Sequence, residues 1–200
     1  MSTATFHFES FEAFSPFVDA GPYRAADYWK LPEGEPIELI RGRFVVSPCP
    51  VPRHQVIVVL LSELFLQIAR KSGGIVMCAP MDVVLSDDTI VQPDLLYISK
   101  DRRHIVKNRV EGPPDLVIEI ISGTARRDRV EKLDLYAKYG VAEYWIVDPQ
   151  AQLIEFLVND DSRFVVQSPA RDRYQSPQLP EVEIQLAEFW HEVDERLPNQ

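Results

Sequence analysis

Long apolar runs are missing from this 200-residue chain. No stretch approaches the roughly 18 uninterrupted apolar residues that a helix needs to span a bilayer, which excludes an integral helical membrane protein. The N-terminus carries Glu9, Glu12 and Asp19 where a secretory leader would be basic and then greasy, so a cytoplasmic location is expected. Cysteine is scarce too. Cys49 and Cys78 stand apart from each other and from any Cys or His at metal-clamp spacing, so they are expected as buried thiols, and neither a disulfide framework nor a zinc site is expected. Positive charge is in deficit: the formal net charge is −10, which argues against coating nucleic acid through a generally basic face. Repeats and low-complexity tracts are also lacking.

What basic charge there is clusters in two places. Lys100, Arg102, Arg103, Lys107 and Arg109 face only Asp101 within residues 100–109, and Arg126, Arg127, Arg129 and Lys132 sit among Asp128 and Glu131. The stretches carry +4 and +2, leaving −16 for the rest of the chain. Each is either a solvated surface or the flank of a path for a phosphate backbone.

Length and apolar content suit one domain with a substantial core. Residues 1–22 read as an arm bearing Phe6, Phe8, Phe11, Phe14 and Phe17, packing on its own body or on a partner subunit, and 23–200 as the domain. A short helix is expected over Tyr23–Leu31, then the start of a sheet over Ile37–Ser47 with a turn at Gly42. Apolar residues at 57, 60, 61, 64, 65 and 68 predict an amphipathic helix over 54–71 that Gly73-Gly74 stops. Strands are expected near 75–79, 82–85, 91–98 and 115–121, then a helix over about 125–139 ended by Gly140, then strands at 143–147, 153–158 and 163–167. A last apolar segment ends near Trp190. The fold class is α/β (α+β): a central mixed sheet flanked by helices.

The most informative residue is Glu119, alone in the apolar run Leu116-Val117-Ile118-Glu119-Ile120-Ile121. In a strand, 116, 118 and 120 face one way and 117, 119 and 121 the other, so both faces are apolar and the strand is buried. A carboxylate there costs several kcal/mol unless a cation, a metal or a proton meets it. A second acid, Asp94, opens the similar run 91–98. Their plain structural roles are a strand-start cap for Asp94 and a core ion pair for Glu119, with Lys132 as the partner.

The order of an Asp strand, a Glu strand and a helix carrying Lys resembles the PD-(D/E)XK nuclease superfamily. More closely, Gln92-Pro93-Asp94, the run Pro114–Ser122, Asp128-x-x-x-Lys132-x-x-x-Tyr136 and Gly140–Pro149 resemble the Uma-type restriction endonuclease family over roughly residues 23–190. The resemblance implies a restriction endonuclease-like fold and a metal-dependent endonuclease. It puts Asp94, Glu119 and the Ile120 carbonyl on Mg²⁺ or Mn²⁺ and makes DNA the substrate, with a homodimer cutting both strands. Two residues after Glu119, where the superfamily has lysine, this chain has Ile121; the resemblance implies that Lys132 supplies the ammonium instead. Gly123 stands where many relatives have proline, a difference of loop stiffness more than chemistry.

At about 100° per residue, Val130, Leu133 and Ala137 would face the core, with Lys132, Tyr136 and Tyr139 on the adjacent flank. Glu38 matches an acidic family position that lies near the metal, or is a solvated strand residue. His54 matches a recurring histidine with a catalytic or phosphate-contacting role, or is a polar residue at a helix start. Gln92 orients the attacking water or satisfies backbone. Tyr136, Glu143, Tyr144 and Trp145 are read as structural. A non-catalytic nucleic-acid-binding or assembly protein on the same fold is the alternative.

Overall fold

The computed structural model describes residues 17–19, 21–32, 34–47, 49–121 and 126–197. Phe6, Phe8, Phe11, Phe14 and Gly123 therefore lie outside the described residues. The first half runs β1 (Phe17–Asp19), α1 (Ala25–Tyr28), β2 (Ile37–Ile40), β3 (Arg43–Val46), α2 (Pro52–Ser72), β4 (Ile75–Cys78), β5 (Val83–Ser86), β6 (Thr89–Val91) and β7 (Leu95–Ile98). A 3-10 helix over Lys100–Ile105 leads into β8 (Val110–Glu111) and β9 (Leu116–Ile120). The second half is α3 (Arg126–Tyr139), β10 (Glu143–Asp148), β11 (Leu153–Asp160), β12 (Arg163–Gln167), β13 (Arg173–Gln175), β14 (Glu183–Gln185) and α4 (Leu186–Glu195).

Two six-stranded sheets carry the fold, in the orders β1-β3-β2-β6-β5-β8 and β12-β11-β10-β9-β7-β4, with β13-β14 as a small third sheet. Both large sheets are mixed: β9 and β10 are parallel, as are β5 and β8, and the remaining pairs are antiparallel. The second sheet is covered on both faces, and its alternation sorts the side chains. Leu95, Tyr97, Leu116, Ile118, Ile120, Trp145 and Val147 pack with Ile57, Leu61 and Phe65 of α2 and with α4. Leu96, Ile98, Val117, Tyr144 and Ile146 pack with Leu135 and Tyr136 of α3 and with Val83 and Val91 of the first sheet. By that parity Glu119 belongs to the second face, between α3 and the first sheet.

Local chemistry accounts for the elements that frame this region. In α2, Pro52 takes the first turn, where a missing N–H costs no hydrogen bond, and Gly73 closes the other end at φ 78°, its N–H donating to the Ala69 carbonyl. The hairpin of β2 and β3 turns through Arg41-Gly42 at φ 50° and 76°, the two-residue geometry that matches strand twist. It aims Glu38 and Ile40 inward at the second sheet.

Three expectations are corrected. The run 91–98 is not one strand: Gln92-Pro93-Asp94 breaks it, because proline lacks the ladder N–H, and β6 and β7 lie in different sheets. On α3, Val130 is 70% exposed while Lys132, Leu135, Tyr136 and Ala137 are buried, so the inward stripe passes through the lysine. Apolarity misplaced that face because the buried ammonium is paired. Cys49 is exposed rather than buried, since it lies among the prolines before α2.

Candidate active site

Asp94, at the start of β7, faces the end of β9 because the strands are antiparallel with Leu95 opposite Ile118. Asp94 Oδ2 accepts the Ile120 N–H at 2.7 Å, and His54 Nε2, in the first turn of α2, lies 3.1 Å from Oδ1. His54 Nδ1 is buried and has no hydrogen-bond partner among the described residues. One residue before Ile120, Glu119 Oε1 accepts from Lys132 Nζ at 2.9 Å and from the Tyr136 hydroxyl at 2.7 Å. Lys132 and Tyr136 are one turn apart on α3, so a single helix face delivers both donors. Lys132 Nζ also donates to Glu38 Oε1 at 3.0 Å, and the same oxygen accepts the Gln92 N–H at 2.8 Å.

Burial sets the charge state of this cluster. The side chains of Glu38, Lys132 and Glu119 are 2%, 8% and 13% exposed. Desolvation pushes the Glu119 carboxyl up to about 7; Lys132 opposes the rise, and Asp94 and Glu38 add to it. Desolvation works against the Lys132 ammonium, yet Glu119 and Glu38 outweigh it and hold its pKa above the ordinary lysine value. Lys132 is thus a permanent donor. The Tyr136 hydroxyl is pushed well up by burial and by Glu119 and Glu38, so it stays protonated and keeps its proton for Glu119.

Glu119 and Glu38 share this one ammonium and Asp94 adds a third carboxylate beside them, which leaves two formal negative charges in excess when His54 is neutral. A hard divalent cation would offset that excess. Among the described residues no three or more His, Cys, Asp and Glu side chains form a metal cage by themselves. Two carboxylates completed by a carbonyl and water suit Mg²⁺ or Mn²⁺. The donor set therefore fits the group that the family resemblance implies.

The structure brings Asp94, Glu119, Lys132, Glu38 and His54 together. Glu38 is 1% exposed, so it is no solvated strand residue. Ile120 enters through its N–H to Asp94. Gln92 contributes its N–H, while its side chain turns away, Nε2 lying 3.0 Å from Asp82 Oδ1 and 3.1 Å from the Tyr28 hydroxyl. Tyr136, expected as core packing with a hydrogen-bonded hydroxyl, packs in the core and donates that hydroxyl to Glu119. Asp82 and Tyr28 carried no signal in the sequence, since only the fold brings them to Gln92.

The first basic stretch is not where a path past both acids requires. The 3-10 helix Lys100–Ile105 follows the end of β7 opposite to Asp94, and Arg102 there donates to Asp115 and to the Pro113 carbonyl. Lys107 pairs with Glu111. Arg109 alone returns toward Gln92, its guanidinium 3.7 Å from the centre of the Trp29 ring. The side chains of Arg126, Arg127 and Arg129 lie outside the described residues.

Elsewhere, Glu143 anchors a structural network, accepting from Trp145 Nε1 at 2.6 Å, from the Tyr174 hydroxyl at 2.8 Å and from the Ser176 hydroxyl. No helix among the described residues is long and apolar enough to cross a membrane.

Comparison with known proteins comes from two directions. The family model Uma2, described as "Putative restriction endonuclease", matches residues 25–188. The crystal structure of a putative nuclease belonging to DUF820 from Anabaena variabilis superposes with a TM-score of 0.72 and 19% sequence identity, covering 86% of this chain and 99% of that one. At that identity the likeness concerns the fold. No curated protein matches the chain.

Proposed function

Since the chain belongs to the Uma2 restriction endonuclease family, we propose that it is a cytoplasmic, Mg²⁺- or Mn²⁺-dependent endonuclease that hydrolyses DNA phosphodiester bonds, acting as a homodimer so that two sites serve the two strands. The observation that carries this reading is the convergence of Asp94, Glu119 and Lys132 from the start of one strand, the end of its antiparallel neighbour and the following helix. Asp94 and Glu119 would hold the cation, with the Ile120 carbonyl as third protein ligand. When bound, the cation supplies Lewis-acid polarisation of the phosphate and a nucleophile at neutral pH.

The chain's own residues have distinct tasks. The Ile120 N–H and His54 hold Asp94 from two sides, so that its carboxylate is oriented before substrate arrives. Glu38 and Glu119 keep Lys132 charged and therefore unable to take a proton. Its task is to donate to the phosphate oxygens as negative charge develops on them. Glu38 positions Lys132 and, through the Gln92 N–H, fastens the β6–β7 crossing from which Asp94 projects. The Tyr136 hydroxyl restrains the Glu119 carboxylate.

A second reading keeps the same contacts as a fold-stabilising network in a non-catalytic nucleic-acid-binding or assembly protein. Its support is that Lys132 is already paired with two carboxylates. Nicking of supercoiled plasmid in Mg²⁺ or Mn²⁺ beside EDTA controls separates the two. Cleavage that disappears in folded Asp94→Asn, Glu119→Gln and Lys132→Met proteins is the expected result. Wild-type protein as inert as its variants would leave the binding reading in place.

A further inference from the structure

Beside the acid cluster, on the other side of Gln92, lies a cavity of about 320 Å³ whose walls include Tyr28, Trp29, Asp82, Gln92, Asn108 and Arg109. Gln92 is the partition between the two: its N–H faces Glu38, and its carboxamide joins Tyr28 and Asp82 in the cavity wall. Trp29 is a large aromatic left 40% exposed at the end of α1, and it is not wasted surface, because the Arg109 guanidinium lies over its ring. Two elements distant in sequence thus build one stacked ring–guanidinium platform. The volume falls at the lower end of small-ligand sites and suits a single flat ring system.

The charge of the walls selects among ligands. Glu35 and Asp82 line the cavity against Arg109 as its one cation, so a phosphate is repelled and a neutral ring is accepted. Stacking on aromatic rings and on guanidinium planes is how proteins hold unstacked bases. Asp82 Oδ1 is taken by Tyr28 and Gln92, whereas Oδ2 has no hydrogen-bond partner among the described residues and is left to accept from a base edge.

We propose that this cavity receives one unpaired nucleobase of the DNA, stacked on the Trp29–Arg109 platform, while the adjoining phosphate reaches Asp94 and Glu119. The proposal rests on the nuclease reading for its ligand and adds a base-holding subsite to it. It makes Trp29 and Arg109 substrate-binding residues, and it favours single-stranded or locally opened DNA over an intact duplex, whose bases are already stacked.

The test is binding of a fluorescein-labelled single-stranded oligonucleotide containing 5-iododeoxyuridine, in EDTA so that nothing is cleaved, followed by irradiation and mapping of the cross-link. Wild type should cross-link at Trp29 or Tyr28. Trp29→Ala and Arg109→Lys should bind at least about fivefold more weakly, whereas Trp29→Phe, which keeps a stacking ring, should stay within about twofold. Arg109→Lys retains the charge, so a loss there reports stacking rather than phosphate attraction, and melting curves show that each variant is folded. A cross-link elsewhere, with Trp29→Ala and Arg109→Lys binding like wild type, overturns the subsite and leaves plasmid nicking untouched. Failure of the wild type to bind the oligonucleotide also overturns it. Trp29-dependent binding without nicking would instead sink the nuclease reading and keep the pocket.

Discussion

Lys132 Nζ sits 2.9 Å from Glu119 Oε1, and this contact ties α3 to the end of β9 inside a space that both large sheets enclose. Removing either partner has opposite consequences for stability. In Lys132→Met, Glu38 and Glu119 lose the ammonium they share, so the fold should weaken by about 3–5 kcal/mol as cleavage falls roughly a hundredfold or more. Glu119→Gln removes a desolvated charge and leaves Lys132 with Glu38. It should be at least as stable as wild type and equally inert in cleavage. Urea melts and plasmid nicking on the same preparations check both; an active Glu119→Gln protein would remove Glu119 from the chemistry.

The pH dependence follows from the same carboxyl. Its folded pKa, about 7, lies above its ordinary 4.5, so protonated Glu119 favours the native state. That contribution is fully present below 4.5 and is lost as pH rises through about 7. In EDTA, the stability of wild type minus that of Glu119→Gln should therefore decline between roughly pH 5 and pH 8. A difference that stays flat across that window would contradict the raised value.

Divalent cations should stabilise the native protein without any substrate. At a concentration of about 100 times the dissociation constant, binding to the folded state alone adds about 2.7 kcal/mol. Wild type should melt higher with rising Mg²⁺ or Mn²⁺, and Asp94→Asn and Glu119→Gln should respond little. Equal shifts in all three would mean that the ions bind elsewhere.

Glu143 offers a control away from the chemistry. Glu143→Ala leaves the Trp145 N–H and the Tyr174 and Ser176 hydroxyls without their acceptor in a buried place, at about 1–3 kcal/mol for each unsatisfied group. Glu143→Gln keeps an oxygen for them and should lose far less. Thermal melts should rank wild type above Glu143→Gln above Glu143→Ala. Specific activity of the folded fraction should not change, and a large loss in stable Glu143→Gln would place this network in catalysis.

Much of the architecture follows from the order of residues alone. Period-three-and-four apolarity specifies α2, a continuous apolar run specifies the covered strand β9, and the lone Glu119 announces a charge that something must meet. Chain order likewise suffices for the family, because its motifs are local runs such as Gln92-Pro93-Asp94 and Gly140–Pro149. Tertiary structure decided the rest. Periodicity weighs side chains by apolarity, so it turned Val130 inward and set Lys132 on a flank, whereas the ion pairs with Glu38 and Glu119 make the lysine buried and leave the valine in water. It joined 91–98 into one strand, since both halves are apolar, and only the pairing of β6 and β7 in separate sheets shows Pro93 at the crossing. Linear proximity also set the basic residues of 100–109 beside Asp94, although a strand carries its two ends apart and of these Arg109 comes back to the Gln92 cavity. The meeting of Trp29 with Arg109, and of Tyr28 and Asp82 with Gln92, has no trace in local composition because it depends on strand pairing in the first sheet, where Val83 stands opposite both Val91 and Val110, and on α1 packing against that sheet.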